Sequence, residues 1–185
     1  MKIKHILIVF TLLISLNVSS QERGDLRIGA FGKVSLFDNV MINQYGVNGE
    51  WFVADNFSLL YAYGMGTNAN GDITAHINTA LFLLPFAASY PPAVLGVLLI
   101  SEGISYHVSV NEFVEVAPYL CPLGTEINLY EEQDLILSGS AGVNLIFKQF
   151  SPINKLILSF NFGSTVIYRD MNALPSVGVS LQYQF

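Results

Sequence analysis

The chain has 185 residues, of which 52% are hydrophobic and only 12% charged, and its formal charge is −6. That share of charge is about half the usual ~25%, too small to coat an ordinary soluble domain, and the acidic balance excludes a nucleic-acid partner, which needs a basic surface. A single cysteine, Cys121, excludes an internal disulfide, and the length is that of one domain.

Lys2, Lys4 and His5 precede an apolar run from Ile6 to Leu16 and a small-residue exit at Asn17-Val18-Ser19-Ser20. This is the layout of a secretory signal peptide, and the run is about half the ~20 residues that a membrane-spanning helix needs. Cleavage is expected after Ser20, which makes residues 1–20 a signal peptide and residues 21–185 the domain. Six basic residues then face fourteen acidic ones, a net charge of −8. Gln21 rather than a cysteine follows the cleavage point, so no lipid attachment is expected there.

From Asp25 to Leu36 the even positions Leu26, Ile28, Ala30, Val34 and Leu36 are apolar and Asp25, Arg27, Lys33 and Ser35 lie between them. A period of two marks a strand with two unlike faces. The pattern returns at Val47, Gly49, Trp51 and Val53 and, after Asp55-Asn56, at Phe57, Leu59, Tyr61, Tyr63 and Met65; a pair of turn residues between alternating segments predicts a tight hairpin. Further strands are predicted at Asp72–Ala80, Gly103–Val110, Val114–Cys121, Leu135–Phe147, Lys155–Tyr168 and Leu174–Phe185.

The residues between the apolar positions are small and nearly uncharged, such as Ser138, Ser140, Gly142 and Asn144. A soluble sandwich hides its apolar face and charges the other. Large apolar residues opposite a small polar face, in segments of about ten residues, fit a barrel in lipid with a polar interior. A sheet in a bilayer must also close, because no water is there to satisfy an open edge. Short connections at Ala54–Asn56, Asn111–Phe113 and Gln149–Asn154 belong on the periplasmic side; the longer ones at Phe37–Tyr45, Gly66–Gly71, Pro122–Asp134 and Arg169–Ala173 belong outside. Trp51, Phe52, Tyr61, Tyr63, Tyr119, Tyr168 and Tyr183 are expected in the interfacial girdles.

Nine strands leave one crossing missing, and Ile73–Ser101 contains no Asp, Glu, Lys or Arg. Pro85, Pro91 and Pro92 interrupt it before a helix could span a bilayer. Either Ala93–Ile100 is a tenth strand, the reading slightly favoured, or two short apolar helices pack on or in a smaller barrel. The expected fold is therefore all-β: a closed antiparallel transmembrane barrel of eight to ten strands with an apolar insert around residues 81–101.

The last strand carries Val177, Val179, Leu181, Tyr183 and a final Phe185 on one face. This resembles the carboxy-terminal assembly signature of Gram-negative outer-membrane β-barrel proteins. The resemblance implies residence in the outer membrane, contact with its lipid, and recognition by the barrel-assembly machinery during biogenesis. It implies no activity, since one fold hosts many functions.

Chemistry concentrates at Ile104–Pro118. Aligning the apolar faces of its two strands around a three-residue turn at Asn111–Phe113 sets Ser109 opposite Glu115 with His107 diagonal to it, because a one-residue slip would turn every side chain to the other face. Nucleophile, base and acid are the parts of a hydrolase triad. The His-x-Ser order resembles that of outer-membrane lipid A deacylases, which implies His107 as base and Ser109 as nucleophile; in that family the acid lies farther away in sequence than Glu115. The preferred reading is a polar lumen network that satisfies a buried glutamate, in a structural or loop-mediated protein without catalysis. A barrel that binds or passes a small apolar ligand is a further alternative. No Cys-x-x-Cys or His-Glu-x-x-His spacing occurs, so no metal and no cofactor is expected, and Glu126, Glu131, Glu132 and Asp134 are expected to form a solvated loop.

Overall fold

The computed structural model of the chain describes residues 23–37, 40–67, 70–88, 90–129, 135–148, 155–169 and 171–185. The expected signal peptide lies outside the described residues. Ten strand segments occur among them: β1 (Leu26–Phe37), β2 (Val40–Ala54), β3 (Phe57–Thr67), β4 (Ile73–Asn78), β5 (Gly103–Tyr106), β6 (Val108–Ser109), β7 (Val114–Asn128), β8 (Leu135–Phe147), β9 (Leu156–Ile167) and β10 (Asn172–Gln184). β1 pairs with β2, β2 with β3, β7 with β8, β8 with β9, β9 with β10, and β10 returns to β1, all antiparallel. Between β3 and β7 stand β4 and β5, each paired to both, with β6 continuing along β7. These three segments form one stave, so the described residues build a closed barrel of eight staves.

Two of the nine expected strands, those beginning at Asp72 and Gly103, are thus the two halves of a single stave. Ala93–Ile100 is not a tenth strand. The chain leaves the wall after Asn78 and forms a 3-10 turn (Thr79–Leu83), α1 (Leu84–Ala87) and α2 (Pro91–Leu98) before it re-enters. Pro91 and Pro92 open α2, where a fixed φ and a missing N–H suit a helix start; in a central strand each would delete a ladder bond. No helix of the described residues is long and apolar enough to cross a membrane, so the crossings are made by strands.

Two connections are shorter than the sequence suggests. β2 begins at Val40, and β7 continues through Pro122 to Asn128 because a bulge between Cys121 and Gly124 absorbs the proline. Two of the expected short turns, at Ala54–Asn56 and Asn111–Phe113, are formed at one end of the barrel, and the third, Gln149–Asn154, lies outside the described residues. Asn56 turns β2 into β3 with φ +63°, and the Asn111 side chain accepts from Phe113 N and Val114 N at 2.8 and 2.9 Å. Asn tolerates the first of these conformations, and its side chain supplies the turn bonds of the second.

The two faces follow the period of two. Val177, Val179, Leu181, Tyr183 and Phe185 all point outward and are exposed, as do Val47, Leu120, Val143 and Phe162. Inward stand Ser138, Ser140, Gly142 and Asn144 on β8 and their counterparts on the other staves. Trp51, Tyr106, Tyr183 and Phe185 ring the outer face near the β2–β3 turn, and Tyr168 stands near the other end. Phe52 and Tyr119, expected in these girdles, are inside the lumen and buried. Tyr119 fits because Gly142 and Gly163 are paired beside it: a Cβ on Gly163 would come within 2.5 Å of the Tyr119 hydroxyl oxygen.

Candidate functional site

A charged residue buried at an inward position of a strand is costly unless it is paired, so partners across the lumen are expected. Arg27 of β1, fully buried, does so at the end that carries the short turns. Its Nη1 donates to Glu50 of β2 at 3.3 Å and its Nη2 to Glu115 of β7 at 3.1 Å, while Nε reaches Gln184 of β10 at 3.4 Å. Lys148 Nζ lies 2.5 Å from the other oxygen of Glu115. The Arg27 guanidinium also sits 4.9 Å from the Phe52 ring centre, and Phe52 is 4.8 Å from the His107 ring. A desolvated cation over an aromatic face contributes about 2 kcal/mol.

His107, between β5 and β6, completes this layer. Nε2 lies 2.7 Å from Glu50 Oε1 and 3.2 Å from Ser58 Oγ, and Nδ1 is 3.5 Å from Glu115 Oε2. Ser58 Oγ donates to the same Glu50 oxygen at 2.7 Å. The register Val108↔Val116, Ser109↔Glu115 is the one expected from the sequence, so His107, Ser109 and Glu115 do share one layer. Within it, the hydroxyl on His107 Nε2 is that of Ser58 and the short carboxylate contact is that of Glu50. His107, Ser109 and Glu115 are each no more than 4% exposed. The layer is packed across the lumen, with Ile146 paired to Glu115 and clustering with the buried Ala117 and Ile157.

Arg27, Glu50, Ser58 and Lys148 were not picked out by sequence reasoning. A signal was available: Arg27 and Glu50 stand on the inward side of alternating segments, and a buried charge is stabilised by an opposite one.

A second layer lies higher. His76 of β4 sits with Nδ1 2.7 Å from Glu126 Oε1 and Nε2 3.2 Å from Glu102 Oε1, and Gln44 Nε2 donates to Glu126. Glu126, expected on a solvated loop, is therefore a lumen residue of β7; Glu131, Glu132 and Asp134 lie outside the described residues. Among the described residues no group of three or more His, Cys, Asp or Glu is arranged to hold a metal ion.

Between the two layers is a cavity of about 140 Å3 bounded by Lys33, Asn48, Glu50, His76, Glu102 and Asn161. At roughly 30 Å3 per molecule it has room for four or five waters. Lys33 Nζ donates to Thr165 Oγ1 at 3.3 Å, and Tyr119, Asn161 and Asn144 form a hydrogen-bonded row beside it. Among the described residues this arrangement braces the lumen from one wall to the other.

No protein-family model matches the chain, and the curated proteins contain no significant match. Among solved structures, the amino-terminal β-barrel domain of Pseudomonas aeruginosa OprF superposes with a TM-score of 0.56 at 14% identity, over 89% of this chain and 100% of that one. The attachment invasion locus protein Ail of Yersinia pestis gives a TM-score of 0.48 at 9% identity, over 88% and 99% of the two chains. A de novo designed transmembrane β-barrel gives 0.47 at 14% identity, over 90% and 100%. At such identity the OprF likeness concerns architecture alone, and on that ground the chain has the closed eight-stranded fold of outer-membrane β-barrels.

Proposed function

We propose that this chain is a small Gram-negative outer-membrane β-barrel protein, delivered by its leader, received by the barrel-assembly machinery through the Val177–Phe185 face, and acting structurally or through its loops without catalysis. The observation that carries the reading is the pairing of an exposed apolar outer wall with a lumen closed by Arg27, Glu50, His107 and Glu115. A lipid-facing wall explains the low charge of the chain. A sealed small barrel leaves no aqueous route, so whatever contacts the protein makes with partners fall on its wall and loops.

In planar bilayers the purified barrel is expected to give no stepwise conductance. Discrete, reproducible steps would contradict a sealed lumen and favour the passage of solutes. The alternative of a lipid-modifying hydrolase using His107, Ser109 and Glu115 is separated by mass spectrometry of lipid A. An unchanged profile in a deletion strain supports the non-catalytic role, and a change that Ser109→Ala reproduces in a folded barrel overturns it. A loop-mediated role requires that replacing residues 129–134 by a tight turn alter binding at the cell surface.

A further inference from the structure

The insert at residues 79–101 has no counterpart in the regular barrel wall. On β3, Gly64 pairs with His76 and Leu60 with Gly103, so the chain leaves and rejoins the wall opposite Tyr61–Tyr63, midway along β3. It lies on the outer face. Tyr61, which points outward, donates its hydroxyl to Leu99 O at 3.0 Å. Thr79 Oγ1 meets Thr125 Oγ1 at 2.8 Å, and Thr125, an outward residue of β7, is 0% exposed beneath it.

Three properties decide what surrounds this segment. First, it carries no ionisable Asp, Glu, Lys or Arg, while Phe86, Tyr90, Leu95 and Leu99 are 85%, 63%, 63% and 57% exposed. An apolar patch of this kind on a water-facing surface is unusual, but here it continues the outward apolar band of the wall at the same height. Second, its polar backbone ends are met internally. Asn78 accepts from Ala80 N at 2.9 Å and donates to Ile100 O at 2.7 Å, Tyr61 takes Leu99 O, and Tyr90 N and Ala93 N bond Ala87 O and Tyr90 O. Third, prolines occupy the second position of α1 (Pro85) and the first two of α2 (Pro91, Pro92), removing N–H groups that have no partner within a helix. In water such groups are solvated without cost; in hydrocarbon each unsatisfied one costs several kcal/mol.

We infer that residues 79–101 form an intramembrane pair of short helices lying on the barrel wall at mid-depth, whose exposed side chains are packed by the acyl chains of surrounding lipid. This rests on the barrel's place in the membrane, which the single tryptophan, Trp51, reports separately because it stands on the outer wall near one end.

The test is tryptophan quenching in phosphatidylcholine vesicles brominated either near the headgroup or near the chain end, with aqueous iodide as a third quencher. The proteins are wild type and Phe86→Trp in a Trp51→Phe background, with Leu95→Trp as a second variant should the first fail to fold. Trp51 is expected to lose more fluorescence to shallow bromines. A tryptophan at position 86 or 95 is expected to lose more to deep bromines and little to iodide. Iodide quenching at 86 and 95 would place the insert in water, and loss to none of the quenchers would place it against protein; either outcome overturns the inference if Trp51 still responds to brominated lipid. If Trp51 itself does not respond, it is the membrane reading that fails.

Discussion

Replacing Arg27 by methionine is expected to lower the unfolding free energy of the barrel by about 3–5 kcal/mol, the cost of leaving buried charges without their partner. Glu50 and Glu115 would then face each other across the lumen with Lys148 reaching only one of them. Urea titration in lipid vesicles, followed by tryptophan fluorescence or by the shift of the folded band on an unheated gel, measures this. Glu112→Gln, on the exposed 111–113 turn, is the control and is expected to stay within about 0.5 kcal/mol of wild type. Glu50→Gln and Glu115→Gln added to Arg27→Met should recover part of the loss, because they remove the charges left bare. If Arg27→Met unfolds at the wild-type midpoint, the cross-lumen layer does not hold the barrel together.

Arginine at Val179 is expected to cost about 2–4 kcal/mol, and at Ile28 about 0–1 kcal/mol, the depth dependence of a cation on the lipid face of a barrel. Both residues point outward and are exposed. Val179 is in the middle of β10, opposite Gly32 and Phe160, whereas Ile28 is near the end of β1, opposite Tyr183. The difference between the two variants in vesicle unfolding isolates depth from the loss of an apolar side chain. Equal, small effects would mean that the wall does not face hydrocarbon.

Much of the wall was legible in the sequence because side-chain direction in a strand depends only on parity. Val177 to Phe185 outward, Ser138 to Asn144 inward and the pairing of Ser109 with Glu115 all follow from a period of two plus a turn of known length. Phe52 shows the same rule applied too loosely: it shares parity with Glu50 and is a lumen residue, yet an aromatic near a strand end was assigned to the girdle. Tyr119 likewise shares the parity of Glu115 and Ala117.

The cross-lumen partners were not legible. Arg27 meets Glu115 across 88 positions and Gln184 across 157, and nothing local in the chain sets the heights at which distant strands align. The insert was legible only as one of two alternatives, a tenth strand or two short helices, for a different reason. Periodicity treats a stave as continuous, and it cannot show that Asn78 and Glu102 are neighbours in one stave with two helices extruded between them. The absence of charge from Ile73 to Ser101 marked the segment as unusual without telling strand from helix; the three prolines were the local evidence for helix starts.

Closure is the claim on which the seal, the lipid-facing wall and the extruded insert all depend, and the β1–β10 seam tests it most directly. Ala30 and Leu181 are directly paired there, both outward, and directly paired residues in antiparallel strands have Cβ atoms about 4.5–5.5 Å apart. Ala30→Cys with Leu181→Cys, in a Cys121→Ser background, should form an intramolecular disulfide on mild oxidation of the membrane-assembled protein. Ala30→Cys with Tyr183→Cys, two positions out of register, should not form it efficiently. Cross-linking in register confirms a barrel closed by its first and last strands; no cross-link in the folded protein, or equal cross-linking in both registers, would contradict it.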